Sequence, residues 1–432
     1  MASALSPALR PAPRASIVAS GSELVRGDRN DRNGPYLAAS LLRLGVEPAR
    51  ITVVGDDPAD LEAALVDGLG HDLLVVSGGL GPTHDDRTVE LLARAAGVEL
   101  AVDEELAAAI EELSRRIAAR LHRPYADFAA GVRKQAALPA GATWIGLVGT
   151  APAVILEHAR GVAVALPGPP RELQELWPRV LETASLRRLL GRARTPDRRV
   201  LRLFGVSESA VAAALAEAGG EGDGVEVTIC ARDFEIHIDL IAHADAGARA
   251  RADELERRLV TATAPYLFSR DERSTAELVL DLLRARGLTL ATAESCTGGL
   301  VATRLTAVPG ASDVFEGAVV AYSDGLKSAE LDVPEALLLA HGAVSAEVAA
   351  AMARGARARL GTDVAVAVTG VAGPGGGTVE KPVGLVFLHA SGPDAELAVR
   401  LDVPGDRETI RLRSTVAALH LVRRLVTKPA HS

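Results

Sequence analysis

The sequence predicts an α/β protein: two three-layer α/β domains with mainly parallel sheets, joined by a small α+β domain. Three observations lead to this fold. Short apolar runs alternate with helical patterns in residues 15–183 and again in residues 272–427, and such repetition is typical of parallel sheets covered by helices. Residues 198–268 instead pair two neighbouring strand patterns with helices, which indicates helices on an antiparallel sheet. The 432 residues are also too many for one ordinary core.

The first domain is predicted from an ordered series of strand and helix patterns. Helices are recognised by their spacing, by an early Pro and by a closing Gly. In chain order the segments are a strand in ASIVAS, a helix in PYLAASLLRLG, a strand in ARITVVGD, a helix in PADLEAALVDGLG, a strand in DLLVVSGGLGPT, and a strand, turn and helix in GVAVALPGPPRELQELWPRVLE.

The basic stretch SLRRLLGRARTPDRRV, residues 185–200, predicts the first domain boundary. The alternative is a solvated helix end. The small domain follows, with a Ser-capped helix in SESAVAAALAEAG and strands in VEVTICA and EIHIDLIAH. Cys230 falls within the first of these two strands and is expected in the core.

The third domain opens with a helix over residues 274–287, which has a Ser cap and a Gly stop. The remaining segments are a strand in LTLATAES, a helix in VATRLTAV, a strand in GAVVAYS, a helix in SAEVAAAMARGARARLG, strands in DVAVAVTG and GLVFLHAS, and a closing helix in RETIRLRSTVAALHLVRRLV.

Composition excludes several classes of protein. A net charge of -9 argues against a nucleic-acid partner, which requires a basic face. Two cysteines do not build a disulfide framework and suit a reducing cytoplasm. Residues 1–16 lack the apolar core of a secretory signal and are expected to be a disordered tail. The longest uncharged stretches are broken by Gly and Pro, so no membrane span is predicted.

Two glycine-rich loops each follow a predicted strand of the third domain, ESCTGG at 294–299 and TGVAGPGGGT at 369–378. Such loops expose backbone N–H groups that suit an anion such as a phosphate. Neither loop matches a Walker A or dinucleotide pattern. Because ligands of open α/β sheets bind at the carboxyl ends of strands, two such loops in one domain predict a binding site.

The first loop offers two adjacent nucleophile types. Ser295 could attack a carbonyl while neighbouring N–H groups stabilise the oxyanion; the alternative is a helix cap. Lys327 follows another strand and could serve as its base if burial lowers its pKa; the alternative is a solvated loop charge. Cys296 is the rival nucleophile, and we favour a buried filler role for it.

The motifs AESCTGG, VPGASDVFEGAVVAYSDGLK, HGAVSAEVAAAMARGA and AVTGVAGPGGGTVEKPVGLV resemble the C-terminal domain of the competence/damage-inducible protein A (CinA) family. The resemblance implies a nicotinamide-nucleotide amidohydrolase that needs no metal or other cofactor. It implies Ser295 as nucleophile, Lys327 as base and Thr369 as support. Asp324 replaces a usual Asn, and its charge should raise the pKa of Lys327.

The same resemblance implies a nucleotide-binding set around these catalytic residues. The GPGGG loop is expected to hold the phosphate, and Lys381 is expected to neutralise it. The set consists of Thr297, Gly298, Gly299, Tyr322, Gly373, Gly375, Gly376 and Lys381.

The first domain has a second polar constellation, in SGSELVRGDRNDRN and SGGLGPTHDD. Hard oxygen ligands gather there for a divalent cation near a phosphate; the alternative is turn and cap chemistry. The candidates are Glu23, Asp31, Asn33, Gly79, Gly81 and Thr83, with Asp85 and Asp86 as metal ligands. His84 is interpreted as a loop residue.

The motifs GGLGPTHDD, RKQAALPAGA, VGTAPA and LPGPPRE resemble the N-terminal domain of the CinA family. That domain has a molybdopterin-binding fold and in some members is a metal-dependent ADP-ribose pyrophosphatase. Departures from the usual residues, at Ser22, Arg32, Gly146 and Ala153, make an impaired site nearly as well supported as an active one. Residues 198–268 correspond to the family's KH-like domain.

These features together predict a cytoplasmic enzyme acting on small nucleotide substrates, and the family resemblance implies a homodimer. Its main reaction would convert nicotinamide mononucleotide to the acid and ammonia. The rival hypothesis is a non-catalytic nucleotide-binding or assembly protein linked to competence or the DNA-damage response. A pterin-cofactor enzyme is a third and weaker hypothesis, because fold analogy says little about function.

Overall fold

The computed structural model describes residues 12–242 and 246–427. The N-terminal tail predicted from the sequence lies, up to residue 11, outside these described residues. The chain divides into two compact units, Met1–Asp197 and Arg198–Ser432. Both units are mixed α/β structures, as the sequence predicts.

The first unit is built from eight described strands and eight described helices. In order they are β1 (Arg14–Ser20), α1 (Ser22–Val25), α2 (Asn33–Arg43), β2 (Glu47–Val54), α3 (Pro58–Gly68), β3 (Leu73–Ser77), α4 (Thr88–Ala96), β4 (Leu100–Val102), α5 (Glu104–Leu121), α6 (Ala126–Gln135), β5 (Ala137–Pro139), β6 (Thr143–Leu147), β7 (Pro152–Glu157), β8 (Val162–Leu166), α7 (Pro170–Leu181) and α8 (Ala184–Leu190).

Six of these strands form one sheet in the order β2-β1-β3-β8-β7-β6. β1 pairs in parallel with β2 and β3, and β3 pairs in parallel with β8. β7 and β6 extend the sheet in antiparallel fashion. Apolar side chains fill both faces: one core packs against α3 to α6 and the other against α2, α7 and α8. This arrangement is the predicted three-layer domain, with parallel strands buried on both sides.

The second unit begins with the small module. Its elements are β9 (Asp197–Leu203), α9 (Glu208–Glu217), β10 (Val225–Arg232), β11 (Glu235–Ala242), α10 (Ala246–Thr263) and β12 (Leu267–Ser269). The strands form a sheet in the order β10-β11-β9-β12, and its core includes side chains of both helices.

The expected core position of Cys230 is wrong, because its side chain is exposed. β10 lies at the edge of the sheet, and Val225 is buried at its start. Cys230 is an odd number of residues further on, so strand alternation turns it to the opposite face.

The second unit continues with α11 (Thr275–Arg286), β13 (Leu290–Glu294), α12 (Leu300–Thr306), β14 (Phe315–Val320), α13 (Asp324–Leu331), α14 (Glu335–His341), α15 (Ala346–Leu360), β15 (Val364–Gly370), β16 (Leu385–Ser391), β17 (Glu396–Asp402) and α16 (Arg407–Thr427). The sheet order is β14-β13-β15-β16-β17. One core includes side chains of α11, α12 and α16, and the other includes side chains of α13 and α15.

This sheet is parallel only across β14, β13 and β15, because β16 and β17 run antiparallel. No helix of the structure lies between β15 and β16, so the chain returns in the opposite direction. β17 was absent from the sequence prediction. Among the described residues, no helix combines the length and the apolar character that a membrane crossing requires.

Candidate active sites

The carboxyl ends of three neighbouring parallel strands assemble the first site. Glu294, the last residue of β13, is in register with Val320 of β14 and Val368 of β15. Ser295 follows at once, and its backbone N–H donates to the carbonyl of Val368 at 2.9 Å. Thr369 is therefore level with Ser295 on the adjacent strand. β14 leads through residues 321–323 into α13, which carries Lys327.

Lys327 is one of the largest fully buried side chains, with 1% of its surface exposed. Burial lowers the pKa of its amine, while Asp324 and Cys296 oppose that shift. Its ammonium nitrogen lies 3.6 Å from Oδ1 of Asp324, which is itself exposed. The solvated-charge alternative for Lys327 is therefore wrong, and the charge effect predicted for Asp324 is present.

The helix-cap alternative for Ser295 is also not what the structure shows. α12 begins at Leu300 with Gly299 as its N-cap and without a capping side chain. Ser295 is nevertheless buried. The hydroxyl of Thr369 donates to the carbonyl of Ala343 at 2.7 Å, so its oxygen can accept a hydrogen bond from a neighbour in the site.

A buried carboxylate accepts hydrogen bonds from the amides at the end of the nucleophile loop, which comprises residues 295–299, and at the start of α12. Glu294 is fully buried and accepts from the N–H groups of Gly299, Val301 and Ala302 at 2.9–3.1 Å. The Gly298 amide donates to the carbonyl of Ser295. The N–H groups of Gly298 and Gly299 are thus hydrogen-bonded within the protein and are not free to bind an anion.

Cys296 is buried beside the candidate nucleophile. Burial raises the pKa of its thiol to about 12, although the amides of Cys296 and Thr297 oppose the rise. The filler role favoured from sequence is confirmed by this burial. Those two amides have no backbone acceptor within the described residues, and both lie beside the Cys296 thiol. The buried hydroxyl oxygen of Thr297 also lacks a partner there.

Two arginines of α16 contact this site, and sequence reasoning missed both. Arg411 donates to the carbonyls of Cys296 at 3.2 Å and Thr297 at 2.9 Å. Arg407 donates to the hydroxyl of Tyr322 at 2.6 Å and to the carbonyl of Gly373 at 2.7 Å. Their spacing of four residues on the last helix, which places both on one face, was the available signal.

The second glycine-rich loop is open at its tip. Gly373 is buried, whereas Gly375 and Gly376 are exposed. Lys381 donates from its ammonium to the carbonyl of His341 at 2.5 Å. Lys381 therefore lies over the end of α14, in contact with a neutral carbonyl.

The second candidate site is a cavity of about 930 Å³ in the first unit, at the carboxyl ends of β1, β3 and β8. Most of the predicted residues line it together, and Arg32 and Glu172 join them. The predicted residues that line it are Glu23, Asp31, Asn33, Gly79, Gly81, Asp85 and Asp86. Burial raises the pKa of Glu172, and sequence reasoning did not single out this residue.

Asn33 lines this cavity and is fixed by its own hydrogen bonds. Its amide nitrogen donates to Oγ of Ser77 at 2.8 Å and to the carbonyl of Gly168 at 2.7 Å. Its Oδ1 is buried and has no partner in the described part of the chain.

The carboxylates of the cavity are mostly engaged in turns. Both Asp85 and Asp86 accept from the hydroxyl of Thr83, and Asp86 also accepts its N–H at 3.0 Å. Asp31 accepts from the N–H groups of Asn33 and Gly34 at the start of α2. Within residues 12–242 and 246–427, no group of three His, Cys, Asp or Glu side chains is placed to hold a metal. These hydrogen bonds are the turn chemistry that the sequence offered as the alternative.

The departures from the usual residues take ordinary structural roles. Ser22 and Asp56 exchange reciprocal hydrogen bonds: the Ser22 N–H donates to Oδ2 of Asp56 at 2.9 Å, and the Asp56 N–H donates to Oγ of Ser22 at 3.1 Å. Gly146 has a φ of +62° on β6, and Ala153 is fully buried on β7. His84 is exposed on its loop.

Comparison with known proteins identifies the family of this chain. Models of three families match it in order: a probable molybdopterin binding domain over 16–187, the damage-inducible protein CinA KH domain over 198–269, and the CinA C-terminal domain over 272–426. A CinA-like protein of Mycobacterium tuberculosis is 45% identical over 424 residues, covering 96% of this chain and 97% of the relative. The chain belongs to the CinA family.

Further relatives carry similar names. A CinA-like protein of Mycolicibacterium paratuberculosis is 45% identical over 433 residues, covering 96% of this chain and 98% of the relative. The crystal structure of competence/damage inducible protein CihA from Agrobacterium tumefaciens is 38% identical with a TM-score of 0.35, covering 37% of this CinA-family chain and all of its own.

Proposed function

We propose that the C-terminal domain hydrolyses the carboxamide of nicotinamide mononucleotide to nicotinate mononucleotide and ammonia. The observation that carries this proposal is Lys327. It is a buried amine whose pKa is lowered by burial, at the strand ends that also hold Ser295 and Thr369. A lowered pKa increases the fraction of neutral amine, which is the form that a serine nucleophile requires as its base.

The residues can carry out both halves of an amide hydrolysis. Neutral Lys327 takes the proton of Ser295 as Oγ bonds to the carboxamide carbon, and the amides of Cys296 and Thr297 stabilise the oxyanion. The ammonium of Lys327 then returns a proton to the departing nitrogen, the C–N bond breaks and ammonia leaves. Water attacks the resulting ester, gives its proton to Lys327, and restores the Ser295 hydroxyl as the acid leaves.

The nucleotide phosphate is expected at the second glycine-rich loop. Gly375 and Gly376 are exposed there and offer backbone donors. Lys381 and Arg407 supply positive charge on either side of the loop, through their contacts with His341 and Gly373. The expected homodimer and cytoplasmic location stay predictions.

The test is ammonia release from nicotinamide mononucleotide by the full chain, beside Ser295→Ala and the matched neighbour variant Cys296→Ala. We expect release that persists in Cys296→Ala and vanishes in Ser295→Ala. Binding of the nucleotide without release by the unmodified chain would instead support the rival, a non-catalytic nucleotide-binding protein.

We propose a second function for the first unit, binding of a nucleotide such as ADP-ribose in its 930 Å³ cavity. The position of this cavity at the carboxyl ends of parallel strands favours this, and pyrophosphate cleavage is the activity to test. Calorimetry with ADP-ribose, with and without Mg²⁺, should show binding that Asn33→Ala weakens about tenfold, the loss of one hydrogen bond. Hydrolysis that appears only with Mg²⁺ would support the metal-dependent activity, and unchanged binding by Asn33→Ala would contradict the proposed ligand position.

A further inference from the structure

The turn between β10 and β11 of the small module lies against two helices of the C-terminal domain. Asp233 and Phe234 form this two-residue turn, with φ of 51° and 63°. Oδ1 of Asp233 accepts from Arg304 of α12 at 3.0 Å. The guanidinium of Arg413, on α16, lies 4.8 Å from the centre of the Phe234 ring, which is within range of a cation–π contact.

The next residue anchors the hairpin in the interior. Glu235 is buried and accepts from the hydroxyl of Thr275, at the start of α11, and from Nε2 of His420 on α16 at 2.8 Å. The ring of Phe204 stacks on His420 with centroids 3.8 Å apart. Three consecutive residues, 233–235, thus engage three different helices of the C-terminal domain.

Two of those helices also hold the nucleophile loop. α12 has only seven residues and starts directly after Gly299, so a movement of α12 moves the loop. α16 carries Arg411, which binds the carbonyls of Cys296 and Thr297, two residues before Arg413. The hairpin contacts and the loop contacts therefore share the same two rigid elements.

We propose that Asp233 and Phe234 are positioning residues, which hold α12 and α16 so that Ser295 and its oxyanion donors keep their reactive geometry. The proposal rests on the proposed amidohydrolase function. Small displacements of a nucleophile cost orders of magnitude in rate while substrate binding is largely retained. Loosening the hairpin should therefore lower kcat rather than raise KM.

The experiment uses the full chain in a Cys230→Ser background, with Asp233→Asn and Phe234→Ala. Asn removes the charge of Asp233 and tolerates the left-handed backbone. The matched control is Asp223→Asn, another residue of this module with φ of 51°. Two quantities are measured: kcat and KM for nicotinamide mononucleotide, and the rate at which a thiol reagent labels Cys296 in the folded protein. The labelling rate reports the loop position independently of activity.

We expect kcat to fall about tenfold or more in Phe234→Ala and Asp233→Asn, with KM within about twofold of the parent, and Cys296 to be labelled faster. Asp223→Asn should match the parent. Arg304→Ala should reproduce the effect, and Arg304→Lys should largely avoid it, because lysine keeps the ion pair.

Unchanged kcat and unchanged Cys296 labelling in both hairpin variants would overturn the proposal. A fall in kcat matched by Asp223→Asn would overturn it as well. If the parent releases no ammonia, the proposed function fails, and the labelling of Cys296 alone decides whether the hairpin holds the loop.

Discussion

Asp324 opposes the effect of burial on the pKa of Lys327, and replacing it tests the proposed role of Lys327 as a base. The carboxylate lies 3.6 Å from the amine and is mostly exposed, whereas the amine is buried. Two unit charges at that distance attract by about 1.2 kcal/mol even in water. Asp324→Asn removes this attraction and should therefore lower the pKa of Lys327.

The assay is kcat/KM for ammonia release from nicotinamide mononucleotide between pH 6 and 10. Because the neutral amine is the active form, the acidic limb of the profile should move to lower pH, and the rate on that limb should rise severalfold. Glu335→Gln, an exposed carboxylate variant on α14, is the matched control and should leave the profile unchanged. A profile that stays in place or moves to higher pH would refute the role of Lys327 as base.

Three other predictions follow from buried and exposed groups. Lys327→Met should abolish activity yet raise Tm at pH 7, by about 2–4 °C for each kcal/mol gained. Burial lowers the pKa of Lys327 in the folded state, so the unfolded chain binds more protons and the parent gains stability as pH rises towards 10.5. The difference in Tm between Lys327→Met and the parent should therefore shrink over that range. A Tm of Lys327→Met below that of the parent at pH 7 would contradict this prediction. Burial raises the pKa of Glu235, but hydrogen bonds from His237, His420 and Thr275 outweigh it and lower the pKa to about 2. Its stabilisation, roughly 1–3 kcal/mol, should therefore be present above pH 4.5 and lost as pH falls towards 2, and Glu235→Gln should flatten that part of the unfolding curve. A thiol reagent should label one cysteine of the folded chain, Cys230, and both after denaturation; rapid native labelling of Cys296 would contradict its burial.

Local patterns predicted many of the elements, but none of those within residues 88–157, which include the strands β6 and β7 of the first sheet. The Ser274 cap and the Gly287 stop of α11 were predicted from residue types, and the structure shows a complete capping box with a left-handed Gly287. β17 was missed because its side chains alternate between exposed and half-buried, so no apolar run marks it. Cys230 was misplaced because a strand pattern does not reveal which face of an edge strand meets the core.

The candidate site residues that lie in short sequence motifs after strands could be predicted, whereas those contributed by segments distant in the sequence could not. Ser295 and Lys327 were singled out because each follows a predicted strand, and the structure places those two strands side by side in one parallel sheet. Arg411 is more than a hundred residues away and reaches the loop through its guanidinium, which only tertiary packing defines. Glu294 was quoted in a motif without a role, because its bonds to three amides depend on how the loop closes.

The burial of Cys296 has a consequence for oxidative chemistry. With a thiol pKa of about 12, the thiolate fraction at pH 7 is about 10⁻⁵, and peroxides attack thiolates rather than thiols. The nucleophile loop therefore contains a cysteine that is not readily oxidised by peroxides, unlike the reactive thiolate of a cysteine enzyme. Oxidation by peroxides should therefore occur at the exposed Cys230, in the small module, and leave the loop that carries Ser295 unmodified.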